Sequence, residues 1–489
     1  MQEQPFAGMV LDRLRTSAKT ELSLLCYPAR EWVIPRLYQN NPVTDVVIVG
    51  GGQGGMAVAL GLRKAQVPNI RIFDQAAKGQ EGPWNRFARM ETLRTPKHLM
   101  GPAMGIPSLT PQAWYKAKYG DDAWDTLGKI PVQDWHSYLQ YFREAAEIPV
   151  ENNMRVTAID IAGPEDDAPL KITIDTPDGL STIFARKAVL ATGIEQPGTW
   201  YTPEIITGNL PKDRYHHTSE DIDFSALTGK RIAVIGGSAS AFDNAATALE
   251  NGAASVAIFI RRQDIPRDNP FRWMEKTGFL QHMNALPNEQ KWEFTEHIWR
   301  INQPPPQETF DRCAKAHSNF SLHEGSPLQN VETDGEEIVL TTPKGTFRFD
   351  HLIAGTGFKV DFSAAPALSA FADNIATWGD RYTPPSELKN PVLSSYPYLG
   401  SGFEFQPKDP RQTPWMRHVL CFNYCAFPSM GLSGASISSM PFGPQAIVDG
   451  ITKSFFRDDT NAYLHDLRTA SLTELTDTKG ADGLSLTRS

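Results

Sequence analysis

Asp45-Val46-Val47-Ile48-Val49-Gly50-Gly51-Gly52-Gln53-Gly54-Gly55 is the stretch that decides the fold. Four apolar residues run as a strand into a glycine turn, and a helix of small and apolar residues (Met56, Ala57, Val58, Leu60, Leu62) follows from Gln53 onward. Gly50, Gly52 and Gly55 match the spacing G-x-G-x-x-G. In that spacing the first glycine turns the chain sharply and the second lets backbone approach a pyrophosphate. The third lets the helix lie against the strand. Asp74 closes the next apolar strand, where a carboxylate accepts hydrogen bonds from ribose hydroxyls. A glycine-rich surface turn with a solvated aspartate behind it is the plainer alternative, but it does not require all five features in order.

A second unit of the same kind begins at Arg231-Ile232-Ala233-Val234-Ile235-Gly236-Gly237-Ser238-Ala239-Ser240-Ala241. Serine stands at its second position and alanine at its third, with Ser238 able to bond a phosphate oxygen directly. The strand Ser255–Ile260 is followed by Arg261 and Arg262 instead of an acid. Guanidinium groups there suit the 2′-phosphate of NADPH and remove the carboxylate that NADH favours. A solvated arginine pair is the competing reading. Two such units imply two bound dinucleotides, and a chain that holds two dinucleotides moves a hydride between them.

Outward from these units, the 489 residues suffice for two or three domains with sizeable cores. The 40% hydrophobic and 21% charged fractions are those of a soluble globular protein. A net charge of −9 argues against nucleic acid or an anionic membrane as the main partner. The chain has no apolar run of transmembrane length, and Asp12, Arg13, Arg15 and Lys19 interrupt any signal-peptide core. The expected location is therefore cytoplasmic. Cys26, Cys313, Cys421 and Cys425 are too scattered for a disulfide framework, and alternation makes Cys421 and Cys425 core residues rather than metal ligands. No metal site is expected.

The expected fold is α/β, with two Rossmann-like dinucleotide-binding domains and the second inserted into the first. Residues 1–43 read as an N-terminal extension and 44–205 as the first part of one nucleotide domain. The second domain spans 206–345, with a helical insertion at about 269–316. Residues 346–489 return to the first domain and end in a helix from about Phe442. The insertion carries Phe271, Trp273, Met274, Phe279 and Leu280, which either line a substrate cavity or merely cover the second domain.

The two turns, together with Ala191-Thr192-Gly193 and Gly355-Thr356-Gly357-Phe358, resemble the class B flavin-dependent monooxygenases. That superfamily includes the flavin-containing monooxygenases, the amine N-hydroxylases and the Baeyer–Villiger enzymes. Asp350 and the residues after it are similar to the N-hydroxylase pattern D-x-x-x-L/F-A-T-G-Y, departing from it at Ala354, Gly355 and Phe358. His217-Thr218-Ser219 is similar to the histidine segment before the NADPH turn, although Asp213 and Asp221 replace the glycine and aromatic of its signature. The resemblance covers about residues 44–450. It implies FAD at the first site, NADPH at the second, and oxygenation of a small organic substrate by O2 through a C4a-(hydro)peroxyflavin. N-hydroxylation, S-oxidation and Baeyer–Villiger insertion all stay open, as does homo-oligomer formation.

Trp84, Asn85, Arg94 and Thr95 lie in the loop that the resemblance wraps around the flavin. Arg94 is the candidate for stabilising developing anionic charge, with a salt bridge as its structural alternative; Trp84 has core packing as its own. Gly193, Gly357, Asn423 and Gly434 complete the expected cofactor contacts by the same resemblance. A reductase or dehydrogenase passing electrons from NAD(P)H to a quinone or protein acceptor is the alternative function. A disulfide reductase needs a cysteine pair against the flavin, which this spacing does not offer, and a nucleotide-responsive redox sensor is the non-enzymatic rival.

Overall fold

The computed structural model describes residues 3–474, except 28, 100, 166, 195–197 and 435. The strand Asn41–Val49 lies within an eight-stranded sheet, flanked by Ile70–Asp74 on one side and Gly179–Gly193 on the other, both parallel to it. Val150–Asn152 and Val419–Asn423 extend the parallel part in the two directions. Val46, Val47 and Ile48 have no exposed surface, since helices and loops cover both faces of a parallel sheet; this is why the strand reads as an unbroken apolar run. The helix Gln53–Lys64 packs back on the sheet through eight consecutive buried residues, Gly55–Leu62.

The second sheet is wholly parallel, in the order Phe320–His323, Ser255–Phe259, Arg231–Ile235, His351–Ala354, Tyr215–His217. The helix Ala239–Glu250 covers one face. An antiparallel meander, Asn330–Asp334, Glu337–Thr342 and Gly345–Phe349, packs on the other. This corrects the boundary at residue 345. The strand His351–Ala354 belongs to the second sheet, because its backbone pairs with Ile232–Ile235. The chain crosses back only through the two-stranded ribbon formed by Gly198–Trp200 and Phe358–Val360.

The N-terminal extension is likewise no separate appendage. Its last residues, Asn41–Val43, already form part of the first strand. The helix Ala7–Leu24 docks on the first domain by burying Ala18 and Leu22, and Glu21 accepts hydrogen bonds from Ser108 N (2.9 Å) and Ser108 Oγ (2.8 Å). Among the described residues no helix is long and apolar enough to cross a membrane.

Candidate functional site

An elongated cavity of about 480 Å³ starts at the first glycine turn and runs to the helical insertion. At the turn, Gly50 adopts φ +105°, and a Cβ there would lie 2.4 Å from the carbonyl oxygen of Ala191. Gly52, with nothing near its missing side chain, lines the cavity beside Gln53. Gly55 does not reach the cavity wall; a Cβ on it would sit 1.9 Å from Gly50 O, so its role is to let helix and strand touch. Asp74 lines the cavity and is buried. Its oxygens accept from Gly51 N at 2.7 Å and Ala76 N at 2.8 Å, while burial raises its pKa. The turn, the helix N-terminus and this acid fit the pyrophosphate and ribose of a dinucleotide.

Farther along, Trp84, Arg94, Thr95, Gly193 and Asn423 all line the cavity. Trp84 packs edge-on against Trp135, ring centroids 6.1 Å apart. Arg94 is bound at its far end. Its Nη2 donates to Asp243 Oδ2 at 2.6 Å, tying the flavin-side loop to the helix Ala239–Glu250 of the second domain. Its Nε is buried with no hydrogen-bond partner in the protein. Thr309 Oγ1 donates to the other oxygen of Asp243 at 3.2 Å. Asn423 is fully buried and structural in its contacts. Its Oδ1 accepts from Cys425 N at 3.0 Å, and its Nδ2 donates to Thr192 Oγ1 at 3.4 Å across the neighbouring strand.

Asn85 departs from expectation. It is exposed, lies outside the cavity lining, and pairs with His136 Nε2 at 2.8 Å, because the turn after Trp84 carries it to the surface. Gly434 closes the short turn Gly431–Gly434, and its surroundings lie outside the described residues. Gly357 adopts φ +84° just before the returning ribbon and is not in the cavity wall.

The second glycine turn does not line this cavity: Gly236, Ser238, Ala239, Ser240 and Ala241 lie at the end of Arg231–Ile235 and the start of its helix. Ser238 is extended and heads the helix, leaving backbone N–H groups there for an anion. The two arginines part company. Arg261 is exposed at the end of its strand. Arg262 donates to the carbonyls of Arg300 (2.9 Å) and Ile301 (3.2 Å), so it caps the last turn of the helix Asn288–Ile301. Arg262, expected to face a 2′-phosphate, is instead held by carbonyls of the insertion.

His217, singled out by its motif, is buried against Trp200 and bonded through Nδ1 to Ser219 Oγ at 2.7 Å; burial lowers its pKa to about 4 and keeps it neutral. Asp350 is spent on the sheet, accepting from Arg231 N at 2.8 Å and Arg231 Nη2 at 2.5 Å. Cys313, Cys421 and Cys425 are buried and take part in no disulfide.

Part of the insertion covers the second domain and part lines the cavity. Gln307–Ala314 covers the second domain, with Cys313 against Phe242. Phe271, Arg272, Glu275 and Gln303 instead form the far wall of the cavity, facing Phe427 and Leu432. The sequence reading missed the polar members of this wall. Their signal, charged residues interleaved with aromatics from Phe271 to Glu275, was present but indistinguishable from an amphipathic cover.

The family model for pyridine nucleotide-disulphide oxidoreductases matches residues 47–311. The chain is 40% identical over 460 residues to an FAD-dependent urate hydroxylase of Xanthomonas campestris pv. campestris, covering 93% of this chain and 95% of that protein. Among solved structures it resembles the ornithine N-hydroxylase of Kutzneria sp. 744, with TM-score 0.63 and 16% identity over 84% of this chain and all of that one. It also resembles the L-lysine 6-monooxygenase of Pseudomonas syringae, with TM-score 0.62 and 16% identity over 84% of this chain and 99% of that one. At such identities the solved structures speak for the fold.

Proposed function

The chain belongs to the pyridine nucleotide-disulphide oxidoreductase family, in its flavin-monooxygenase branch, and from that premise we propose that it is an FAD- and NADPH-dependent hydroxylase of urate. The near-full-length likeness to a urate hydroxylase carries the substrate assignment. The overall change is urate + O2 + NADPH + H+ giving hydroxylated urate + H2O + NADP+: one oxygen atom goes to substrate and the other leaves as water with two electrons from the nicotinamide. The reading includes a cytoplasmic site of action, where reduced nicotinamide nucleotide is supplied.

Bound FAD supplies the two-electron relay and the activation of O2. The protein binds, orients and encloses. The backbone at Gly50 and Gly52 and the following helix N-terminus receive the pyrophosphate, and Asp74 receives the ribose. Trp84 and Phe422 give apolar walls that keep water from the reacting face. Arg94 brings a positive charge to the cavity wall, where it favours negative charge forming inside, while Asp243 holds its guanidinium in place. The second turn and Arg261 take NADPH, and the Arg94–Asp243 bond keeps the domain that binds it in register with the flavin side.

The test is direct. Purified protein loaded with FAD is mixed with NADPH and urate in oxygenated buffer, and NADPH, urate and O2 are followed together. Equal consumption of all three is expected. NADPH consumption with matching peroxide release and untouched urate would instead favour the reductase reading.

A further inference from the structure

The far end of the cavity is walled by the insertion, whose polar groups do not belong to either nucleotide turn. Arg272 Nη2 donates to the backbone oxygen of Arg94 at 2.8 Å, which fixes the guanidinium at the flavin-side loop. Its Nη1 lies 3.5 Å from Glu275 Oε2, too long for a strong bond, so the carboxylate keeps most of its accepting capacity. The Glu275 side chain is only 19% exposed, and burial raises its pKa against the opposing pull of Arg272. Beside them Phe271 makes a tilted ring contact with Phe427, centroids 6.3 Å apart, and Gln303 adds an amide. The cavity end therefore offers a fixed cationic donor next to a carboxylate acceptor, beside aromatic faces.

That pattern is the complement of one chemical edge. An oxidised purine presents –NH–C(=O)–, an N–H donor next to a carbonyl or anionic acceptor, on a flat ring. We propose that Arg272 and Glu275 read this ureide edge, Arg272 donating to the oxygen and Glu275 accepting from the adjacent N–H, with the ring against Phe271 and Phe427. This rests on the urate reading above and names the residues that give it specificity. An aliphatic amine would use the carboxylate alone and leave Arg272 facing a like charge, so the pair selects against such substrates.

The test uses the FAD-loaded protein and five ligands: urate and its 1-, 3-, 7- and 9-methyl derivatives. Binding is read anaerobically from the flavin absorbance change, and KM and kcat from urate consumption. In the parent, the derivative methylated on the nitrogen facing Glu275 is expected to bind at least about tenfold more weakly than urate, as loss of a hydrogen bond to a charged group predicts. In Glu275→Ala, affinity for urate falls about tenfold while the penalty for that one methyl group disappears. Arg272→Met raises the KM for urate more than it lowers kcat. Flavin content and Tm equal to the parent's establish that each variant is folded, and Glu275→Asp supplies a partial rescue. The proposal is overturned if Glu275→Ala weakens all five ligands equally, or if both variants change urate binding less than about threefold. A parent that takes up FAD and is reduced by NADPH, yet neither binds nor consumes urate, overturns the substrate reading itself.

Discussion

The two nucleotide units solve one packing problem in two ways. In each, the first glycine is hemmed in by the backbone of the neighbouring strand's exit: a Cβ on Gly50 would meet Ala191 O at 2.4 Å, and one on Gly236 would meet Gly355 O at 2.2 Å. The units differ one helical turn later. The first keeps a glycine in the helix, Gly55, with Gly50 O where its side chain would be. The second has Ala241 in the helix and moves the glycine across to the strand end, where a Cβ on Gly355 would lie 2.8 Å from Ala241 Cβ. Close approach of helix and strand requires a missing side chain, but either partner can lack it.

The largest effect should follow from Gly55→Ala. Its methyl group meets the Gly50 carbonyl and the Ile48 side chain, and the backbone cannot give way, so overpacking costs about 3 kcal/mol and the purified protein should carry little or no flavin by absorbance. Normal flavin content would break the comparison at its first member. Next in size, Gly355→Ala should keep FAD but raise the KM for NADPH about tenfold and lower Tm. Adding Ala241→Gly should recover most of both, apart from about 1 kcal/mol of helix propensity. Simple additivity of the two changes would mean that the exchange of glycines is not what holds the second unit together.

Carboxylates at the feet of the two sheets invite a smaller test with opposite signs. Asp45 is buried 3.9 Å from Arg186, whose other nitrogen already donates to Asp459, and burial raises its pKa to about 6. Such a group contributes stability fully below its unfolded value near 3.8, and this is lost as pH rises through about 6. Asp350, bonded twice by Arg231, has a lowered pKa, so its contribution is present above the unfolded value and lost as pH falls through the folded one. Asp45→Asn should therefore raise Tm relative to the parent at pH 7 and cost stability below pH 4. Asp350→Asn should lower Tm at pH 7, with the difference closing towards pH 3. Thermal melts across that range decide it; parallel curves for the two variants would remove the distinction.

Smallest is the contrast between adjacent arginines. Arg261→Ala should raise the KM for NADPH several-fold and leave that for NADH unchanged, as loss of a 2′-phosphate contact requires. Arg262→Ala should leave the ratio of the two unchanged and lower stability by about 1 kcal/mol, through the helix end it caps. A change of cofactor preference in the second variant would put both arginines back at the nucleotide.

Local pattern carried a great deal here. The runs Val46–Val49 and Ile232–Ile235, the turns after them and the acid at Asp74 were all legible in order along the chain. These features act over a few residues, where steric limits and sheet burial leave few choices. Asn85, one residue past Trp84, shows where that reach stops: the next turn of backbone sends it to the surface and to His136. The same holds for the boundary at residue 345, because a strand's sheet is set by which distant backbone it pairs with.

By itself the sequence determined that there are two dinucleotide units in one α/β chain, since strand burial and glycine sterics are written into neighbouring residues. Only the tertiary structure decided that Arg94 reaches Asp243, that Arg262 caps a helix, and that Arg272 is anchored on the Arg94 carbonyl at the cavity end. Each of these depends on elements from separate parts of the chain arriving within a few ångströms, and hydrogen bonds and ion pairs act only at that range.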